Sequence, residues 1–104
     1  MVQTFPEAAE IVKNTFIKSY PQVRKAYIFG SFADGMQTNA SDLDVVVDLD
    51  SFIGLQFISM IQDIEKAVVL QVDILTLNQA EDLVKKFGYD IMRKARVVYE
   101  RPTN

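Results

Sequence analysis

Residues 27–48, which read YIFGSFADGMQTNASDLDVVVD, decide the fold of this chain. An aromatic and β-branched run at residues 25–29 is typical of a strand, and it ends at Gly30-Ser31. Residues 34–41, DGMQTNAS, are loop-forming, and a second apolar strand follows at residues 43–49. Polar groups are therefore expected where one strand ends and the next begins.

Two aspartates flank the first apolar residue of this second strand. Side chains at positions i and i+2 of a strand point to the same face, so Asp42 and Asp44 project together while Leu43 and Val45 face the core. Two parallel carboxylates repel each other unless a cation lies between them. Oxygen ligands favour a hard ion, and Asp42 and Asp44 therefore predict a site for magnesium or manganese.

A third carboxylate, Asp73, lies within the alternating strand pattern Gln71-Val72-Asp73-Ile74-Leu75. If this strand pairs beside the second one, Asp73 comes within reach of Asp42 and Asp44. Three acids can hold two metal ions, which clamp the attacking and leaving oxygens of a phosphoryl centre. Because the chain has no histidine, Asp73 is also the expected base for an incoming hydroxyl.

Gly30 and Ser31 complement these acids. Glycine permits a close approach of the backbone to a ligand. If a helical turn begins at Ser31, its free N–H groups and its hydroxyl form an anion site suited to a triphosphate.

The rest of the chain predicts an α/β sandwich in which helices flank a small mixed sheet, in the order αββαβα(β). Apolar periodicity predicts three helices, with Thr4 capping the first and Asn78 with Glu81 forming a capping box for the third. The phenylalanines, methionines and tyrosines are expected in the core or at interfaces. The predicted helices lie near residues 5–20, 57–68 and 78–91, the last with a possible break at Gly88, and further strands lie near 70–75 and 97–99.

Composition limits the chemistry that this chain can perform. Its 104 residues predict a single domain, residues 1–104, and the absence of cysteine and histidine excludes catalytic triads and zinc sites of the usual kinds. The formal charge of −3 argues against a nucleic acid as the main partner. No apolar run is long enough for a membrane span and no signal peptide is evident, so a cytoplasmic location is expected.

Gly30-Ser31, ten residues and then Asp42-x-Asp44 resemble the signature of the DNA polymerase β-like nucleotidyltransferase superfamily. The small size and the stretches VDILT and VVYE resemble the minimal nucleotidyltransferases (MNT), antitoxins that are paired with HEPN-domain partners. The resemblance extends from about Tyr27 to Glu100 and implies the nucleotidyltransferase fold.

The resemblance also implies a role for each matching residue. Gly30 and Ser31 contact the phosphates of a nucleoside triphosphate, and Asp42 and Asp44 bind one or two Mg²⁺ ions. Asp73 completes the metal site and assists deprotonation of the acceptor. The implied reaction transfers AMP from ATP to a tyrosine of a HEPN toxin. The toxin completes the site, and the attached AMP silences it.

One position departs from the family pattern. Many relatives read Gly-Ser-x-Ala-Arg-Gly, whereas here Asp34 precedes Gly35. An acid near the phosphates weakens triphosphate binding if Asp34 faces the site. A second hypothesis therefore stays open, in which the fold is retained as a binding module that neutralises its partner by occlusion. A metal-dependent nuclease is a third, disfavoured by the acidic composition.

Plainer structural roles stay open for single residues. Asp42 alone fits a turn, Asp73 fits the polar side of an edge strand, and Ser31 fits a helix cap. The basic residues of the last quarter fit solvated helix faces and a favourable helix C-terminus, and contacts of some of them with phosphate or a partner are the alternative.

Overall fold

One mixed sheet organises the chain. The computed structural model describes residues 1–102, so Thr103 and Asn104 of the expected single domain lie outside the described residues. Within that range there are four strands, β1 (Val23–Phe29), β2 (Leu43–Leu49), β3 (Val72–Thr76) and β4 (Arg96–Glu100). Their order is β3-β2-β1-β4, with β2 parallel to β3 and β1 antiparallel to both β2 and β4. The expected small mixed sheet is confirmed.

Helices cover both faces of this sheet. They are α1 (Phe5–Ser19), α2 (Gly30–Asp34), α3 (Gln56–Val68), α4 (Leu77–Phe87) and a 3₁₀ helix (Ile91–Lys94). None of the helices within residues 1–102 combines the length and the apolar character needed to cross a membrane.

The larger core lies between the sheet and helices α1 and α3. Thr4 caps α1 by accepting a hydrogen bond from the Glu7 N–H, as predicted. Tyr20, the residue directly after α1, donates a hydrogen bond from its hydroxyl to Asp63 of α3 over 2.5 Å and so links the two helices. The inner faces of the helices and strands bury residues such as Phe16, Ile28, Val45 and Ile64, and α2 adds Phe32.

The opposite face of the sheet carries α4. Val46 from β2, Ala80 from α4 and Ile91 from the 3₁₀ helix form a smaller buried cluster there. The predicted capping box at Asn78 and Glu81 is wrong, because Thr76 and Gln79 form it instead. The strand runs to Thr76, so the residue that ends β3 also caps the helix that follows directly.

The possible break at Gly88 in the third predicted helix is confirmed. Gly88 adopts a left-handed conformation (φ 67°), which ends α4 at Phe87, and Ile91 belongs to the separate 3₁₀ helix.

Several apolar side chains expected in the core lie on the surface. Met36 and Tyr89 are exposed, and Phe52 and Phe87 are 94% and 75% exposed. Phe52 follows the end of β2 and Phe87 lies at the end of α4. Neither belongs to either of the two hydrophobic clusters.

Candidate active site

Asp44 and Asp73 are direct neighbours across the parallel pairing of β2 and β3. Adjacent strands lie about 4.8 Å apart, and paired residues point to the same face. This is the face that carries α4, because Leu43, Val45, Val72 and Ile74 fill the core on the other side. The conditional prediction that the third strand pairs beside the second is therefore confirmed.

Asp42 lies immediately before β2, at the same end of the sheet. A turn positions it, in which the Thr38 N–H donates to the Ser41 hydroxyl over 2.8 Å. The Leu43 N–H donates to the Gln71 carbonyl over 2.9 Å, which ties the start of β2 to the start of β3. Asp42, Asp44 and Asp73, the acid cluster, therefore lie together where both strands begin.

The acid cluster is electrostatically strained at Asp44. Burial, followed by the charges of Asp73 and Asp42, raises the pKa of Asp44 from 3.8 to about 6. Asp44 is half-buried, whereas Asp42 and Asp73 are exposed. Within residues 1–102 the ion pairs involve Asp48, Asp50 and Glu100, and no lysine or arginine neutralises the acid cluster.

The donor chemistry of the acid cluster fits a hard divalent cation. All its donors are carboxylate oxygens, which magnesium prefers, and a cation lowers the repulsion that raises the pKa of Asp44. Across the described part of the chain, however, no group of three acidic side chains is placed to hold a metal ion. The backbone pairing fixes the strand positions, while each carboxylate can still rotate about its side-chain bonds.

Gly30 packs its backbone directly against Asp44. Phe29, the last residue of β1, pairs with Asp44, so Gly30 follows beside the carboxylate. A Cβ atom at Gly30 would overlap Asp44 Oδ2, and Gly30 has a φ of 70°. Both observations require glycine, as the sequence argument for a close backbone approach anticipates.

Ser31 lies in α2, which begins at Gly30 immediately after β1. The predicted helical turn is therefore present beside the acid cluster, one residue earlier than expected. Asp34, the last residue of α2, is exposed. The carboxylates that raise the pKa of Asp44 are Asp73 and Asp42, not Asp34.

Glu65 is a positioning residue that the sequence analysis missed. Its side chain, from the end of α3, accepts a hydrogen bond from the Val72 N–H over 3.1 Å. This contact anchors the first residue of the edge strand next to Asp73. No local pattern identifies it, because it joins the end of a helix to a strand whose position depends on the tertiary fold.

Comparison with known proteins agrees with this geometry. The sequence model of the family described as "Polymerase beta, Nucleotidyltransferase" matches residues 11–104. Putative protein adenylyltransferase MJ1379 of Methanocaldococcus jannaschii is 33% identical over 82 residues, which cover 72% of this chain and 80% of that protein. Putative protein adenylyltransferase MJ0435 of the same organism is 33% identical over 66 residues, 61% of this chain and 69% of that protein.

Solved structures share the fold. A toxin–antitoxin complex with AMP-PNP superposes with a TM-score of 0.74 at 18% identity, over 89% of this chain and 73% of that chain. A complex of tri-AMPylated Shewanella oneidensis HEPN toxin with MNT antitoxin gives a TM-score of 0.61 at 17% identity, over 89% and 73%. The family match over residues 11–104 shows that the chain belongs to the polymerase β family of nucleotidyltransferases.

Proposed function

We propose that this chain transfers AMP from ATP to a hydroxyl group of a partner protein. The observation that supports it best is the acid cluster, in which Asp44 pairs with Asp73 and no basic side chain within residues 1–102 neutralises either. A carboxylate pair maintained without a counter-ion favours a bound cation over a structural ion pair.

In this proposal Asp42, Asp44 and Asp73 hold one or two Mg²⁺ ions. Bound magnesium supplies positive charge that stabilises the phosphates of the nucleotide. The Gly30 backbone approaches the phosphates closely, and Ser31 contacts them through its hydroxyl and N–H. At neutral pH Asp44, with a pKa of about 6, is mostly ionised and competent to bind a cation.

The chemical step is a displacement at the α-phosphorus of ATP. The acceptor oxygen forms a bond to this phosphorus, the bond to the β-phosphate oxygen breaks, and pyrophosphate leaves. Asp73 takes the proton from the acceptor hydroxyl. Its exposure on the edge strand gives an acceptor protein access to its carboxylate.

The proposed acceptor is a tyrosine of a HEPN-domain toxin, and the chain acts as its antitoxin. The curated relatives named protein adenylyltransferases support a protein acceptor. The fold shared with the antitoxin bound to an AMPylated HEPN toxin supports this class of partner. ATP is abundant in the cytoplasm, and the proposal includes that location.

Transfer assays with two labelled forms of ATP test this function. With Mg²⁺ and the cognate HEPN-domain protein, label from the α-phosphate is expected on the partner, and label from the γ-phosphate is not. Asp73→Asn is expected to abolish labelling. Asp48→Asn is the matched control, because Asp48 lies on β2 but pairs with Arg24.

The opposite result favours the occlusion hypothesis. If wild type leaves the partner unlabelled, and Asp44→Asn still neutralises the toxin, the chain acts by binding alone. Labelling by Asp73→Asn at the wild-type rate would show that Asp73 is not required for the transfer of AMP.

A further inference from the structure

The apolar stripe of α4 ends on an exposed aromatic side chain. Ala80 is buried and Leu83 packs on the same cluster, and steps of three and four residues lead from them to Phe87. Phe87 nevertheless is 75% exposed. Helix α4 and strand β3 are both about 16 Å long, so Phe87, at the end of the stripe, lies level with the start of β3.

This uncovered end lies beside the acid cluster. Helix α4 follows β3 directly and packs back along β3 and β2, so its last turn returns to the end where β3 begins. The 3₁₀ helix then packs against α2 and leads to Arg96, which pairs with Ile28 near the end of β1. The end of α4 is therefore at the same edge of the sheet as Asp44 and Asp73.

The surface here combines apolar, basic and acidic groups, with Asp82 lining the cavity beside Phe87 and Asp90 exposed after Tyr89. Residues 84–90, which read VKKFGYD, are all exposed, and Tyr89 is 63% exposed. Lys85 and Lys86 take part in no ion pair within residues 1–102. A cavity of about 270 Å³ adjoins Phe87 and is bordered by Leu75, which shares a strand face with Asp73.

We propose that the acceptor protein docks on this α4 end surface, formed by Val84, Lys85, Lys86, Phe87 and Tyr89. The complementary segment of the acceptor is apolar and inserts beside Phe87. Exposed aromatic anchors next to a cavity are characteristic of interface hot spots. The inference rests on the proposed function, which requires a protein to bring its hydroxyl to Asp73.

The position of the surface favours the acceptor over the nucleotide. Gly30 and Ser31 follow β1, on one side of Asp44, whereas Asp73 lies on β3 on its other side. The phosphates in the proposed function occupy the β1 side. The α4 end surface borders the β3 side, where the base Asp73 meets the incoming hydroxyl.

Binding measurements with paired phenylalanine variants test this surface. Phe87→Ala is expected to weaken binding of the cognate HEPN-domain protein about tenfold or more, measured by calorimetry without nucleotide. Phe87→Tyr keeps the aromatic ring and is expected to bind nearly as wild type. Phe52→Ala is the matched control, because Phe52 is 94% exposed but lies after β2, at the opposite end of the sheet.

Each outcome decides between the occupants of the surface. Loss of partner affinity in Phe87→Ala but not in Phe52→Ala supports docking, even if no AMP transfer occurs, and so separates this proposal from the enzymatic one. Wild-type affinity in Phe87→Ala, or no binding by wild type, overturns it. A loss of AMP-PNP affinity in Phe87→Ala assigns the surface to the nucleotide and also overturns it.

Discussion

Asp44 and Asp73 are paired directly across two parallel strands, with no basic side chain between them within residues 1–102. Cross-strand neighbours of like charge destabilise a sheet. Asp42 adds a third negative charge at the same edge, and the pKa of Asp44 rises to about 6 as a result of burial and these two charges. The clustered negative charges lower the stability of the fold and attract a cation.

Replacing Asp44 by asparagine is expected to stabilise the fold increasingly as pH rises. The folded protein holds the Asp44 proton more tightly than the unfolded chain, so wild type loses stability between about pH 4 and pH 6–7. The free-energy advantage of Asp44→Asn should therefore grow by about 2–3 kcal/mol from pH 4 to pH 7. Urea unfolding of both proteins across this range measures it.

Asp48→Asn is the control for this series, since it removes a surface ion pair with Arg24 and should cost up to about 1 kcal/mol. An advantage of Asp44→Asn that is constant with pH would show that Asp44 is not under strain.

Magnesium is expected to stabilise the wild-type fold. A cation bound by the acid cluster binds only the folded state, and it raises the free energy of unfolding by about 1–3 kcal/mol near saturation. Asp44→Asn and Asp73→Asn should lose this gain, and Asp48→Asn should retain it. Denaturation with and without MgCl₂ at matched ionic strength measures the gain in the free energy of unfolding. Equal gains in wild type and all three variants would show that the ion binds outside the acid cluster.

Gly30→Ala is expected to damage both the fold and the site. The new Cβ overlaps the Asp44 carboxylate and the residue has a positive φ, so we expect a loss of about 2–4 kcal/mol and of nucleotide binding. Gly35→Ala is matched in conformation (φ 73°) but its Cβ meets nothing within 4 Å, so it should cost only about 1–2 kcal/mol. Equal losses in thermal unfolding would mean that the contact with Asp44 is unimportant.

Val69→Gly is expected to stabilise the protein. Val69 ends α3 in the left-handed conformation (φ 57°), which is strained for a β-branched residue, and glycine should relieve about 1 kcal/mol. Val97→Gly, in the extended strand β4, should instead cost about 0.5–1 kcal/mol. Both valines are exposed, so stability changes of opposite sign, measured by chemical denaturation, distinguish relief of backbone strain from loss of packing.

Local sequence patterns predicted much of the site because they depend on local geometry. The i, i+2 spacing places Asp44 on the face opposite Leu43 and Val45 whatever the partner strand is. Gly30 was identified as a point of close approach, and the structure supplies the atom that it approaches, Asp44 Oδ2. The pairing of Asp44 with Asp73 could only be stated conditionally, since register between distant strands is a tertiary property.

The failures have the same origin. Asn78 and Glu81 fit the capping pattern, but α4 begins directly after β3. Thr76 and Gln79 therefore form its capping box. Phe87 fits the apolar stripe of α4, yet it is exposed at the end of the helix, outside both buried clusters. Periodicity identifies the face of a helix and does not show how much of that face another element covers.

A structure of the protein with Mg²⁺ and AMP-PNP would show whether the acid cluster binds the metal beside the nucleotide. We expect at least one Mg²⁺ in contact with carboxylate oxygens of Asp44 and Asp73 at about 2.1 Å, with the phosphates beside Gly30 and Ser31. An ion bound only at other carboxylates, or phosphates bound away from this end of the sheet, would contradict this expectation.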